Sequence, residues 1–126
     1  QPVRLFSVQD CQISFDPRTN TVKFKGILVR PTQLDALEDA LQQLRGLINL
    51  QTTVRVRVVE CDECVSLLLK PFLLWIRDLV HTAAAMHIQV GSEEQELLPW
   101  HETIIDRIEH FNRRKIPIQH EALPID

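Results

Sequence analysis

The chain has 126 residues, of which 44% are hydrophobic and 25% charged, and these values fit one globular domain with its own core. Its formal net charge of −3 argues against nonspecific nucleic-acid binding, which needs a strong basic field. The three cysteines are too few for a disulfide framework, no apolar leader is visible, and the most apolar run, 65–76, is too short to span a bilayer. We therefore expect a single domain over residues 1–126, located in the cytoplasm.

The first half of the chain predicts a β-hairpin followed by a helix. Residues 1–15 alternate loosely and predict one or two short strands, DPRTN is a turn, and TVKFKGILV alternates as a strand with one wet face. We expect Thr32 to cap the next helix, with Asp35 completing a variant capping box. An apolar stripe at steps of three and four residues predicts that helix: Leu34, Leu37, Leu41, Leu44 and Ile48.

The second half alternates strands and helices. TTVRVRVVE predicts a strand, residues 63–86 a helix that either starts near Pro71 or kinks there, and HIQVG a short strand. Pro99 fits the first position of a last helix, and IPIQHEALP is either a final short strand or a packed tail. The order is β-β-α-β-α-β-α with that optional last strand. This order predicts an α/β fold, a mixed sheet with helices packed mainly on one side.

The Cys61-x-x-Cys64 pair has three interpretations: half of a metal site, a redox pair, or two buried thiols. No second Cys or His pair with zinc-ligand spacing exists, and the acids between the cysteines would raise the thiol pKa values. The histidines form no i,i+4 pair, and the acidic run Glu93, Glu94 and Glu96 is typical of a solvated approach to a helix. We favour buried thiols and expect no catalytic residue, no cofactor and no metal.

The second helix is apolar around most of its circumference, so it has more apolar surface than one face of a sheet can bury. Neighbouring helices could cover the excess, or it could form a partner or dimer surface that includes Leu73, Leu74 and Arg77.

Several segments resemble STAS domains, the fold of anti-sigma factor antagonists. FDPRTNTVKFKGILVRPT resembles the opening hairpin of a bacterial STAS-like subgroup, and Pro99-Trp100 resembles the pair that opens the subgroup's last helix. Residues 54–80 fit the family's strand, phosphorylation loop and second helix. The resemblance implies a regulator that binds a serine kinase, an anti-sigma factor or another signalling protein. From the charge and the short apolar run, we expect neither a nucleic-acid nor a membrane partner.

The chain departs from the STAS pattern at the phosphorylation loop. The resemblance places Asp62, Glu63, Cys64 and Val65 where the family has an S-S-G-like loop, so a carboxylate and a thiol replace the serines. We therefore expect a non-catalytic interaction module that binds through Asp62, Glu63, Cys64 and Ser66 without phosphorylation at the usual position. Two alternatives stay open: a redox or phosphorylation switch at Cys64 or Ser66, and a small-ligand or enzymatic role on a similar scaffold.

Overall fold

The structure, a computed structural model, describes the backbone of residues 2–91 and 97–123 and the side chains of residues 2–91 and 97–119. The predicted acidic run at Glu93, Glu94 and Glu96 lies outside these residues. The strands and helices are β1 (Arg4–Val8), β2 (Cys11–Asp16), β3 (Thr21–Leu28), α1 (Leu34–Leu47), β4 (Thr53–Cys64), α2 (Ser66–Thr82), β5 (Ala85–Gly91), α3 (Pro99–Phe111) and β6 (Ile118–Leu123).

The strands form one mixed sheet in sequence order, β1 to β6. The β1–β2 and β2–β3 pairs are antiparallel, whereas β3 to β6 run parallel. Each parallel strand lies beside its predecessor, and right-handed crossovers in one direction place α1, α2 and α3 on the same face. The predicted α/β class, a mixed sheet with helices packed on it, is confirmed.

Period-two alternation explains which face the helices cover. In β4, Val54 and Val56 are buried while Arg55 is exposed and Arg57 half-buried, so the valines point towards the helices. Apolar stripes of the helices complete the core, and its aromatic centre is Phe24, whose ring lies 5.2 Å from that of Phe72 and 5.9 Å from that of Trp75. The other sheet face carries mostly polar side chains, and none of the helices in residues 2–91 and 97–123 covers it.

The amino-terminal region holds one strand more than the predicted order. Residues 4–16 form two strands, which are joined by a turn at Gln9 and Asp10. The turn contains neither Gly nor Pro, so the sequence gives no local signal for it, and Gln9 has a φ of 49°. The same turn touches Gly26 in β3. A Cβ at Gly26 would lie 2.2 Å from the carbonyl oxygen of Asp10, and the residue has φ +115°, so only glycine fits.

The predicted N-cap at Thr32 is wrong. A single 3-10 turn, Pro31–Gln33, precedes α1, and the Thr32 hydroxyl contacts Gln9 instead. The completely buried Gln33 side chain instead fixes the 3-10 turn that leads into α1, and it makes no cap hydrogen bond to α1 itself. Its Oε1 accepts bonds from the N–H groups of Val29 and Arg30, both at 2.9 Å, and its Nε2 donates to the carbonyls of Val8 and Ile27 at 2.9 and 3.0 Å.

The second helix is shorter than the predicted 63–86 at both ends. It begins at Ser66, because β4 continues to Cys64, and it ends at Thr82, because the Ala84 N–H donates to the carbonyl of Leu50 and β5 starts at Ala85. Pro71 lies inside α2 rather than in its first turn, and the helix continues through it. The last segment is predicted to be either a strand or a packed tail, and the structure shows strand β6.

Candidate functional site

The residues Cys61 to Cys64 belong to the end of β4 and not to a loop. β4 places ten residues, Arg55 to Cys64, against eight of β3, with register shifts after Lys23 and after Gly26. Such shifts are β-bulges, which bend a strand and redirect its side chains. In place of the loop expected at Asp62 to Val65, a bulged strand reaches Cys64 and runs directly into α2.

The three thiols lie together inside the protein. Cys11 and Cys61 both pair with Gly26 from opposite sides, and all three cysteines are buried and free. Burial raises the pKa of Cys11 to about 11 and that of Cys64 to about 12, and it raises the pKa of Cys61 even further. Within residues 2–91 and 97–119, no group of three or more His, Cys, Asp or Glu side chains could hold a metal ion.

The polar residues of the predicted binding segment are exposed. Asp62 and Glu63 project from the end of β4, and Ser66 is the first residue of α2. Val65 occupies the N-cap position, and no side chain caps the helix there. Of the four predicted residues, Asp62, Glu63 and Ser66 can therefore meet a partner directly, whereas Cys64 is only 8% exposed.

A groove separates this segment from the start of α3. It has a volume of about 570 Å³, and residues 62–66 form one wall while Pro99, Trp100 and Thr103 form the other. The prediction that Pro99 opens the last helix is confirmed, and the buried His101 accepts the Leu98 N–H at 2.9 Å through Nδ1. Sequence reasoning connected Pro99 and Trp100 with the helix start alone, since no local pattern brings them to β4.

The exposed side of α2 carries the other predicted surface. Leu67 and Leu74 are 48% and 46% exposed, Arg77 is exposed, and Leu73 is half-buried. Leu74 forms a ridge between two grooves, one towards α1 of about 490 Å³ and one towards α3 of about 370 Å³. The second groove adds two residues that sequence reasoning missed, Arg107 and Phe111, both from the face of α3 that meets α2.

Three cations surround the α2–α3 groove. Lys70, Arg77 and Arg107 line it. The ion pairs among the described side chains are Arg18–Asp16, Arg30–Asp10 and Arg45–Asp78, and none of them uses these three cations. This apolar groove is therefore ringed by positive charge, with the acids Asp62 and Glu63 just beyond the start of the helix.

The uncovered sheet face holds a second cationic area. Thr21, Arg55 and His87 lie side by side across β3, β4 and β5, and Lys23, Arg57 and Gln89 form the next such row. They line a shallow cavity of about 360 Å³ together with Glu60. The alternation of Arg55 and Arg57 indicated one cationic face of one strand, but the neighbours that complete the rows come from distant segments.

Comparison with protein-family models, curated proteins and solved structures finds no match to this chain. Among the helices in the described ranges, none combines the length and apolarity required to cross a membrane. Function is therefore inferred from the geometry of these surfaces.

Proposed function

We propose that this chain is a non-catalytic, STAS-like interaction module of bacterial signalling that binds a protein partner through α2 and the end of β4. The observation that carries the proposal is the pair of exposed leucines, Leu67 and Leu74, on a helix whose opposite side is buried in the core. We place the module in the cytoplasm, because a reducing compartment keeps its three cysteines as thiols.

The two leucines form one stripe. They lie seven residues apart, which is about two helical turns, so they project from the same side of α2. Full burial of a leucine side chain contributes about 1.5–3 kcal/mol. Both side chains are roughly half exposed, so a partner that covers them gains part of that free energy from each.

The charges around the stripe define the partner's chemistry. Lys70, Arg77 and Arg107 favour acidic residues beside the partner's apolar contact, and Asp62 with Glu63 favour a basic residue at one end. An amphipathic acidic helix laid in the α2–α3 groove meets both requirements. Fixed carboxylates at the end of β4 make this contact independent of phosphorylation.

The test starts with capture from an extract of the native host, using the chain and its Leu74→Asp variant as paired baits. Proteins lost with the variant are purified, and their dissociation constants are measured by titration calorimetry. We expect three changes each to weaken binding about tenfold or more: Leu74→Asp, Arg77→Glu, and the replacement of both Asp62 and Glu63 by lysine. We expect Cys64→Ala to leave binding unchanged.

Lys25→Glu is the matched control, because it makes the same charge reversal as Arg77→Glu on the uncovered sheet face. A partner that binds all α2 variants as tightly as the original chain would overturn the proposal. Concentration-dependent dimerisation abolished by Leu74→Asp would instead identify a second copy as the occupant of the surface.

Phosphorylation of Ser66 is the second candidate, and the exposure of Ser66 at the first position of α2 favours it. A phosphate there would be stabilised by the helix N-terminus and would repel Asp62 and Glu63. An unchanged intact mass after incubation with an active cognate kinase would rule this switch out. The redox alternative requires a lowered thiol pKa, whereas burial raises that of Cys64 to about 12.

A further inference from the structure

The uncovered face of the sheet carries an arrangement of like charges that folding alone does not favour. Lys23 on β3 lies directly opposite Arg57 on β4, and Arg55 projects from the same face two residues earlier. Like charges directly opposite each other in a sheet are destabilising. Violations of a local rule are expected at functional sites, where a ligand compensates for them.

Neighbouring side chains hold both arginines in place. Arg55 donates from Nη1 to Nδ1 of His87 at 2.9 Å, and Arg57 donates from Nη1 to Oε1 of Gln89 at 2.7 Å. A guanidinium has five N–H donors, so each arginine retains further donors after this contact. Side chains fixed in this way bind a ligand without losing much additional conformational freedom.

The cavity between these side chains has the size of a small-ligand site. Its volume is about 360 Å³, and Lys23, Arg55 and Arg57 line it together with the Thr21 hydroxyl. Glu60 lies at one margin, opposite Lys25 in the strand register. Three cations around one cavity match an anion with two negative charges and several acceptor oxygens, and the planar guanidinium suits phosphate oxygens in particular.

We propose that this face, which we call the Lys23–Arg57 site, binds a small phosphorylated anion such as a phosphate monoester. The site lies on the opposite side of the sheet from the α2 surface, so it goes beyond the proposed partner function. Its recognition is electrostatic, with Arg57 as the central donor, Arg55 beside it along the strand, and Lys23 beside it across the strands.

The experiment titrates the ¹⁵N-labelled chain with inorganic phosphate and with phenyl phosphate while NMR spectra are recorded. We expect saturable shifts confined to residues of β3, β4 and β5 that line the site. Arg57→Gln and Lys23→Gln should each raise the dissociation constant about tenfold. Arg57→Lys should retain part of the affinity, because it keeps the charge and loses the planar fork.

Lys25→Gln is the matched control, because it removes one charge from the same face of the same strand but does not line the cavity. It should change the dissociation constant less than about twofold, as expected for a charge that makes no direct contact. Leu74→Asp should leave phosphate binding unchanged, so the two surfaces can be tested separately.

Three outcomes would overturn the proposal. The first is the absence of saturable shifts with both phosphate probes, provided that the variants and the original chain give folded spectra. The second is an equal loss with Lys25→Gln and Arg57→Gln, which indicates diffuse charge attraction. The third is binding of acetate or of a single-stranded oligonucleotide in preference to phenyl phosphate, which assigns the face to another class of ligand.

Discussion

The two faces of the sheet are built from the same strands but carry different kinds of side chain. The covered face of β4 presents Val54 and Val56 to the helices, and every position there is apolar and packed. The open face of the same strand presents Arg55 and Arg57, which lie among polar neighbours and next to a third cation, Lys23. Packing thus accounts for the covered face, whereas the open face keeps a charge arrangement that packing does not require.

The contrast predicts that substitutions on the covered face change stability, and that substitutions on the exposed surfaces change binding. The largest effect is expected for Gly26→Ala. The new methyl group would meet the Asp10 carbonyl oxygen in a backbone conformation that alanine rarely adopts. We expect the free energy of unfolding to fall by about 3 kcal/mol or more, measured by urea titration.

Gly46→Ala is the control for this substitution. Gly46 lies in α1, and among the described residues no atom beyond its neighbouring helix backbone lies within 4 Å of its Cβ position. Alanine there should raise the free energy of unfolding by about 0.5–1 kcal/mol. Equal effects of the two substitutions would contradict the account of Gly26.

The next effect is expected for Gln33→Ala. The substitution leaves two N–H groups and two carbonyls without their side-chain partner near the start of α1. We expect a loss of about 2–4 kcal/mol in the free energy of unfolding. The exposed Gln43, whose side chain donates to Asp39 on the same helix, is the control, and Gln43→Ala should cost less than about 0.5 kcal/mol.

The buried thiols predict a loss of stability at alkaline pH. Their pKa values are raised in the folded state from an ordinary value of 9.0, to about 11 for Cys11 and about 12 for Cys64. Above pH 9 the unfolded chain therefore releases these protons first, which stabilises the unfolded state. The contribution of the buried thiols to the free energy of unfolding should be complete below pH 9 and decline as the pH rises towards 11 to 12.

Urea titrations between pH 7 and the alkaline limit measure this decline, and Cys64→Ala should make it less steep. The native thiols should also react far more slowly with iodoacetamide at neutral pH than those of the urea-unfolded chain. Rapid labelling of Cys64 in the native protein would show that its thiol is accessible and reactive, which would favour the redox alternative.

A smaller effect on stability is expected on α2. Leu67→Ser and Leu74→Ser replace half-exposed side chains, so each should change the free energy of unfolding by less than about 1 kcal/mol. The same substitutions should weaken partner binding. A large loss of stability would show that the leucines serve the fold of the isolated chain, and it would remove the main argument for a partner surface.

The smallest effect is expected for Lys23→Gln. Removing Lys23 relieves its repulsion with Arg57 but also removes its attraction to Asp16, so the free energy of unfolding without ligand should change by less than about 0.5 kcal/mol. The variant should nevertheless bind phosphate more weakly. A variant that is both less stable and unchanged in phosphate binding would assign Lys23 a structural role instead.

The sequence by itself determined the α/β class, the stripe of α1, the alternation of β4 and the start of α3 at Pro99. These features depend on periodicity and on local turn chemistry, which operate within a few residues. Of the two alternatives left open for the second helix, burial by neighbours or a partner surface, the structure leaves Leu74 and Arg77 exposed and Leu73 half-buried, and the binding of a partner there stays a prediction. The STAS resemblance and the function it implies remain predictions.

Only the tertiary structure decided where β4 ends and which side chains meet. The bulges that carry β4 to Cys64 arise from its register with β3, a pairing between residues 34 to 36 positions apart in the chain. The same non-local register places Arg57 between Lys23 and Gln89, and helix packing brings Arg107 and Arg77 to the same groove. Local patterns determine which elements form, but contacts between distant elements are set by packing and register, so both candidate sites became visible only in the folded chain.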